Sequence, residues 1–314
     1  MSKINFKNDL CKYIGLWQEN AYGEIVSYGT ISWFEIGFTG DFLLVEGSLE
    51  GKAVFLIDNQ EKNPEKSEKG FTFSVNDGRH ILRIKIYADG HLSLRNLAVN
   101  ENQSFFRVPD KPYIQFIGDS ITHAYPGFAS VAAETIGIDY SVVSHCGMSL
   151  VDGWGWYQMP ECMNVRMGME TRYFQLESPT ETDNYTQNDF MYCRAPDIIS
   201  IFLGTNDYLD SEANKNAGNV QIFAEHYLNF VLKIREVFPE TKILIMKALS
   251  DKFCRNEGIQ TAFDTISNKI SNVQLIPSDT WQIEISNDGT HPTELGYSQI
   301  AKELTAYLKA LLKK

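Results

Sequence analysis

Near Pro109 and Pro112 the hydrophobic pattern of this chain changes period, and that change decides what it can fold into. Upstream, short runs of β-branched and aromatic residues (Ile31 to Phe38, Phe42 to Glu50, Lys52 to Asp58) are separated by Gly40-Asp41 and Gly51. Asn59 to Gly70 reads as a charged loop. Asp77-Gly78 and Asp89-Gly90 mark tight turns between Phe71–Val75, Ile81–Tyr87 and Leu92–Ala98. No helical period occurs there, and many short strands at such spacing predict a β-sandwich of jelly-roll-like type over residues 1–108.

Downstream, over residues 109–314, apolar strands alternate with amphipathic helices. The strands are Ile114–Ile117, Tyr140–Ser144, Ile198–Leu203, Lys242–Met246 and Val273–Ile276. The helices are Phe128–Thr135, Val220–Val237, Ile259–Ile270 and Thr293–Leu312. Near-continuous apolar strands between helices predict an α/β domain with a parallel sheet covered on both faces. The stretch from about 151 to 194 breaks the alternation. It is rich in aromatic and Met residues (Trp154, Trp156, Tyr157, Met159, Met163, Tyr173, Phe174), then polar, and reads as an insertion at the rim of a site. A length of 314 residues accommodates two cores.

In parallel sheets ligands gather at the carboxyl ends of strands, and three polar motifs fall there. Ser120 follows the first strand in Gly118-Asp119-Ser120-Ile121-Thr122, Gly147 follows the second, and Asn206 follows the third in Gly204-Thr205-Asn206-Asp207. A fourth motif, Asp288-Gly289-Thr290-His291-Pro292, precedes the last helix. Together these are the parts for acyl transfer by a serine: a hydroxyl, a base, a carboxylate to orient it, and donors for an oxyanion. Asp288 is spaced to fold onto the Nδ1–H of His291, leaving Nε2 to take the proton of Ser120. Each residue also has a plainer role. Ser120 suits a helix N-cap, Asn206 an Asx turn, and Asp288-Gly289 an ordinary turn before a helix. Asp119 and Asp207 read as loop scaffolding.

The four motifs in this order resemble the SGNH (GDSL-type) hydrolase superfamily, over about 200 residues from Tyr113 onward. The resemblance implies a three-layer α/β/α hydrolase with a Ser120, Asp288, His291 triad. It also implies an oxyanion hole from the N–H groups of Ser120 and Gly147 and the side chain of Asn206. A β-sandwich ahead of such a domain is similar to carbohydrate esterase family two, whose members remove acetyl groups from sugar hydroxyls. The expected function is therefore a serine esterase that hydrolyses short-chain (acetyl) esters, with O-acetyl groups on carbohydrates as the expected targets, through that triad; the expected partner is a small-molecule or oligosaccharide ester. A lipase-like or thioesterase acylhydrolase is the alternative, and an inactive carbohydrate-binding protein a second. Trp154 and Trp156 are candidates for a sugar-stacking platform, against the plainer reading that they pack the insertion onto the sheet.

Composition narrows the partners. A net charge of −12 opposes nucleic acid and anionic membrane surfaces. No stretch of about 18 apolar residues predicts a membrane span. The five cysteines (Cys11, Cys146, Cys162, Cys193 and Cys254) include no CxxC pair, so neither a metal site nor a disulfide framework is expected, and no cofactor is implied. With no apolar leader in the first residues, the expected location is cytoplasmic.

Overall fold

The structure is a computed structural model, and it describes residues 1–87, 90–156, 167–175, 188–208, 219–249 and 255–313. The chain forms two compact units, Met1–Lys111 with Asp189–Arg194, and Pro112–Asn188 with Ala195–Lys314. Asp89, Tyr157, Met159, Cys162, Met163, Cys254 and most of the polar half of the expected insertion lie outside the described residues.

The first unit is all β. Its strands are β1 (Ser2–Asn5), β2 (Lys12–Glu19), β3 (Ile25–Thr39), β4 (Phe42–Glu50), β5 (Ala53–Ile57), β6 (Gln60–Glu61), β7 (Glu65–Ser67), β8 (Gly70–Ser74), β9 (Arg79–Ile86), β10 (His91–Val99) and β11 (Phe105–Phe106). The described ladders within it are antiparallel. Long β3 serves two groups of strands: its first residues pair with β10, and its second half with β9. β10 continues to β1 and to β4, which in turn pairs with β8, while β9 continues to β5. Trp17, Phe34, Phe38, Val45, Phe73, Ile84 and Leu94 join one buried apolar cluster.

Two expectations change here. The stretch 59–70 is not a plain loop, because β6 turns back on β5 and β7 pairs with β8. The turn at Asp77-Gly78 does not close a hairpin. The strand before it, β8, pairs with β4 and β7, and the strand after it, β9, pairs with β3 and β5. Asp189–Arg194, expected within the insertion, joins this unit: the Tyr192 hydroxyl donates to Glu19 Oε2 (3.1 Å) and Cys193 Sγ approaches Trp17 O (3.7 Å).

The second unit is α/β. Its strands are β12 (Tyr113–Gly118), β13 (Asp139–Ser144), β14 (Ile198–Phe202), β15 (Lys242–Met246) and β16 (Val273–Ile276), all paired in parallel. Their order is β13-β12-β14-β15-β16. The helices are α1 (Ser120–His123), α2 (Phe128–Ile136), α3 (Met169–Arg172), α4 (Val220–Val237), α5 (Arg255–Ser267) and α6 (Glu294–Leu312). β12, β13 and β14 are buried along their whole length, as strands covered on both faces must be. Helix α2 packs on α6, and α4 on α5. Because β13 and β14 flank β12, the connection after β12 runs to one side of it and the connection after β13 crosses back to the other. The crevice at such a switch point is where open α/β sheets hold ligands.

The described stretches of the insertion before residue 188 are pinned to this unit. Tyr173 donates its hydroxyl to Gln115 Oε1 on β12 (2.5 Å). Asp152 accepts from Gly168 N (2.7 Å), and Glu170 accepts from Asp152 N (2.8 Å) while meeting His226 Nδ1 on α4 (2.7 Å).

Candidate active site

The register aligns Gly118 with Ser144 on one side and with Phe202 on the other. The loops that follow these three positions carry Ser120, Gly147 and Asn206, so one sheet edge presents all three. Gly118 is required for the first loop. A Cβ there would lie 2.1 Å from Thr122 Oγ1, so any side chain would push apart the tight turn that ends β12. Asp119 caps α1 by accepting from Ile121 N (3.0 Å), and Ser120 opens that helix, half-buried.

His291 reaches the same edge from far along the chain. Its loop closes on itself: Ile285 bridges Pro292, Ser286 N donates to His291 O (2.8 Å), and Thr293 N donates to Glu284 O (3.1 Å). Thr293 then caps α6 by accepting from Gly296 N (3.1 Å). Within the loop, Asp288 Oδ1 accepts from Ser286 Oγ (2.8 Å), Thr290 N (2.7 Å) and His291 N (2.9 Å). Its Oδ2 lies 2.6 Å from His291 Nδ1. The imidazole beside it, with these donors, holds the Asp288 carboxyl well below the usual carboxylate range. On the far side of the ring, Nε2 lies 2.8 Å from Ser120 Oγ. In the tautomer that donates Nδ1–H to this carboxylate, Nε2 has its lone pair toward the serine hydroxyl.

Gly147 has φ of 75°, a conformation that favours glycine. Asn206 opens a short 3₁₀ turn (Asn206–Tyr208) and donates through Nδ2 to Met148 O (2.9 Å). Next to it, Asp207 is fully buried and accepts from Leu150 N (2.9 Å) and Val151 N (3.0 Å). Burial pushes Asp207 up to about 7 and Asp119 up to about 6. Two other histidines of this unit have partners of their own: His123 Nδ1 meets Ser144 O (3.0 Å), and His226 pairs with Glu170.

The two tryptophans separate. Trp154 is 4% exposed and so offers no open ring face, which corrects its expectation as part of a sugar platform. Trp156 is 53% exposed, and its N–H donates to Gly147 O (2.9 Å), which places its backbone beside the glycine of the candidate oxyanion pocket. Asp207 is the residue whose part in the site the sequence understated. A carboxylate next to Asn206 was visible, but its partners 56 and 57 residues away were not. Among the described residues, no group of three or more His, Cys, Asp or Glu could hold a metal ion, and no helix is long and apolar enough to cross a membrane.

A family two carbohydrate esterase from Cellvibrio japonicus has a similar fold (TM-score 0.73, 18% identity), covering 99% of this chain and 98% of that one. An acetyl xylan esterase from the rumen bacterium Butyrivibrio proteoclasticus is also similar (TM-score 0.69, 17% identity, 100% of both chains). So is a salicylyl-acyltransferase from a tetracycline biosynthetic pathway (TM-score 0.61, 15% identity, 99% of this chain and 98% of that one). No curated protein sequence matches the chain. The sequence profile of GDSL-like Lipase/Acylhydrolase matches residues 114–304, more than half of the chain. That span runs from β12 into α6 and takes in all four motifs of the sheet edge; the chain belongs to the GDSL-like lipase/acylhydrolase family.

Proposed function

We propose that the protein is a serine esterase that removes short acyl groups, above all acetyl, from hydroxyls of carbohydrates. The observation that carries this reading is the unbroken line from Asp288 Oδ2 through the His291 ring to Ser120 Oγ, with contacts of 2.6 and 2.8 Å. In this mechanism Ser120 Oγ attacks the ester carbonyl while His291 Nε2 takes its proton. Asp288 holds the ring in the required tautomer and stabilises the imidazolium. The carbonyl oxygen, now negative, is received by Ser120 N–H, Gly147 N–H and the Asn206 amide. His291 returns the proton to the departing sugar oxygen. Water, deprotonated in turn by His291, then releases the acid from Ser120.

The restriction to short acyl groups on sugars draws support from the family two carbohydrate esterase and acetyl xylan esterase among the structural neighbours. The exposed ring of Trp156 is the candidate sugar platform. We propose a jelly-roll-like sandwich for the first unit, and for the second a three-layer arrangement with α2 and α6 on one face and α4 and α5 on the other. The odd, scattered cysteine set supports a cytoplasmic setting. The test is a panel of acetyl, butyryl and octanoyl esters with acetylated sugars, run on the full chain and on Ser120→Ala. Acetyl should exceed octanoyl by about 10-fold or more, and Ser120→Ala should be inactive. Preference for octanoyl would move the protein to a lipase-like acylhydrolase.

A further inference from the structure

Resting on the esterase reading above, we propose that Asp207 is the positioning residue of the oxyanion pocket, setting both the Gly147 N–H and the Asn206 amide through the segment 148–151. Adjacent residues of one short turn grip that segment at two points. Asn206 Nδ2 donates to Met148 O, while the Asp207 carboxylate accepts from Leu150 N and Val151 N. The first grip has a direct geometric consequence. An amide NH₂ carries two hydrogens fixed in a plane, so committing one to Met148 O fixes where the other points. That second hydrogen is the one available to a substrate oxyanion.

The direction is only as well defined as the position of Met148 O, and this is where Asp207 acts. Met148 stands between Gly147, the other proposed donor, and Leu150, whose N–H lies 3.0 and 2.9 Å from the two oxygens of Asp207. Gly147, with φ of 75°, offers no side chain of its own to hold its place. Met148, Ser149 and Leu150 are buried, as is Asp207, so these amides are shielded from bulk water. Asp207 touches no reacting atom. It anchors the two donors to the turn that also carries Asn206, so that they move as one body.

The chemistry of the position is specific to an ionised carboxylate, the form that Asp207 takes at about pH 8, where the variants are compared. Asparagine has the same shape, but its NH₂ would set a donor against backbone donors on one side. Glutamate keeps the charge and both acceptors, yet its extra methylene displaces the segment. The experiment uses the full chain as wild type, Asp207→Asn, Asp207→Glu, Asn206→Ala and the Asp207→Asn/Asn206→Ala double variant, with Ser120→Ala as control. Two readouts are taken: the rate at which a fluorophosphonate labels Ser120, and kcat and KM for 4-nitrophenyl acetate per titrated serine.

A fluorophosphonate needs the oxyanion pocket whatever the natural acyl group is. Labelling and kcat should therefore fall about 10- to 100-fold in Asp207→Asn, with KM within about twofold. In the Asn206→Ala background the same change should cost less than about threefold, since both residues act through one pocket. Asp207→Glu should fall in kcat with KM kept, and it decides the matter if Asp207→Asn does not fold. Equal losses in both backgrounds, or wild-type labelling and kcat in either Asp207 variant, would overturn the assignment while leaving the esterase reading intact. A wild type that neither reacts at Ser120 nor exceeds Ser120→Ala would overturn both.

Discussion

His291 Nε2 lies 2.8 Å from Ser120 Oγ, although 171 residues separate the two in sequence. The two halves of the proposed relay have different origins. Asp288 and His291 are held together by a turn that closes on itself, with backbone N–H groups of Thr290 and His291 on the same carboxylate. The contact with Ser120 exists only because the loop after β12 and the loop before α6 meet at one sheet edge. Local chemistry prepares the base; the fold delivers it.

Because the serine and the histidine act on one proton, their removal should cost about the same. Ser120→Ala and His291→Ala are each expected to lower kcat for acetyl esters by about 10⁴-fold or more, and the double variant by little beyond either. Initial rates with 4-nitrophenyl acetate check this. Losses that multiply in the double variant would mean that the two residues act separately.

Asp288 yields a prediction about stability and pH. Its folded carboxyl sits well below the usual range, chiefly through the His291 hydrogen bond. A depressed acid contributes stability that is fully present above the unfolded value, about 3.9, and is lost as pH falls below it. The Tm of wild type minus that of Asp288→Asn should therefore be constant between pH 5 and 8 and shrink below about pH 4. A difference that stayed flat down to the lowest pH, in thermal melts across that range, would show that the carboxylate is not so held.

The bounds of α4, β15 and β16 were legible residue for residue: Val220–Val237, Lys242–Met246 and Val273–Ile276. There the helical period or the short apolar run coincides with burial. β2 was not legible. Gly15, at φ of 97°, sits in a register shift between Ile14 and Leu16 that breaks the alternation, and the strand opens on Lys12, buried against Glu35. The Asp77-Gly78 turn was visible as a turn, but strand pairing is not local, and β8 and β9 each bond elsewhere. At the candidate site, motif order singled out Ser120, Asp288 and His291, with His291 within hydrogen-bonding distance of the other two, and Asn206 at the same sheet edge. The hold of Asp207 on Leu150 and Val151 depends on β13 and β14 both flanking β12, and no local pattern announces that.

The buried carboxylates should respond to pH with the opposite sign to Asp288. Burial raises Asp119 to about 6 and Asp207 to about 7, so between roughly pH 4 and those values the folded state binds more protons than the unfolded one. Their contribution to stability therefore falls as pH rises through that window. Replacing Asp207 by Asn removes its share of the proton exchange. The Tm of Asp207→Asn minus that of wild type should rise from about pH 4 to about pH 7 and level off above pH 8. A flat difference would show that Asp207 titrates alike in both states.

Removal of the first unit should also be damaging, because Asp189–Arg194 belongs to it. Tyr192 meets the Tyr13 ring edge-on, with centroids 6.3 Å apart, and bonds to Glu19. A fragment lacking residues 1–105 would leave this segment without either partner and expose apolar surface. It is expected to be aggregated or to melt below the full chain, as size-exclusion chromatography and thermal melts would show. A monomeric fragment with the Tm of the full chain would contradict this.

Trp156 offers the most direct test of the substrate class. Its ring is exposed while its N–H is fixed on Gly147 O, so the residue stands at the proposed oxyanion pocket without taking part in it. A sugar seated on the ring would gain stacking on binding and keep it through the reaction, which is uniform binding and appears in KM rather than kcat. With aromatic contacts worth about 0.5–1.5 kcal/mol, Trp156→Ala should raise KM for an acetylated xylo-oligosaccharide about 2- to 10-fold with kcat unchanged. The same variant should leave both constants for 4-nitrophenyl acetate near wild type, since that ester has no sugar to stack. Equal losses on both esters would assign Trp156 to supporting the Gly147 loop. No loss on either would remove it from the site.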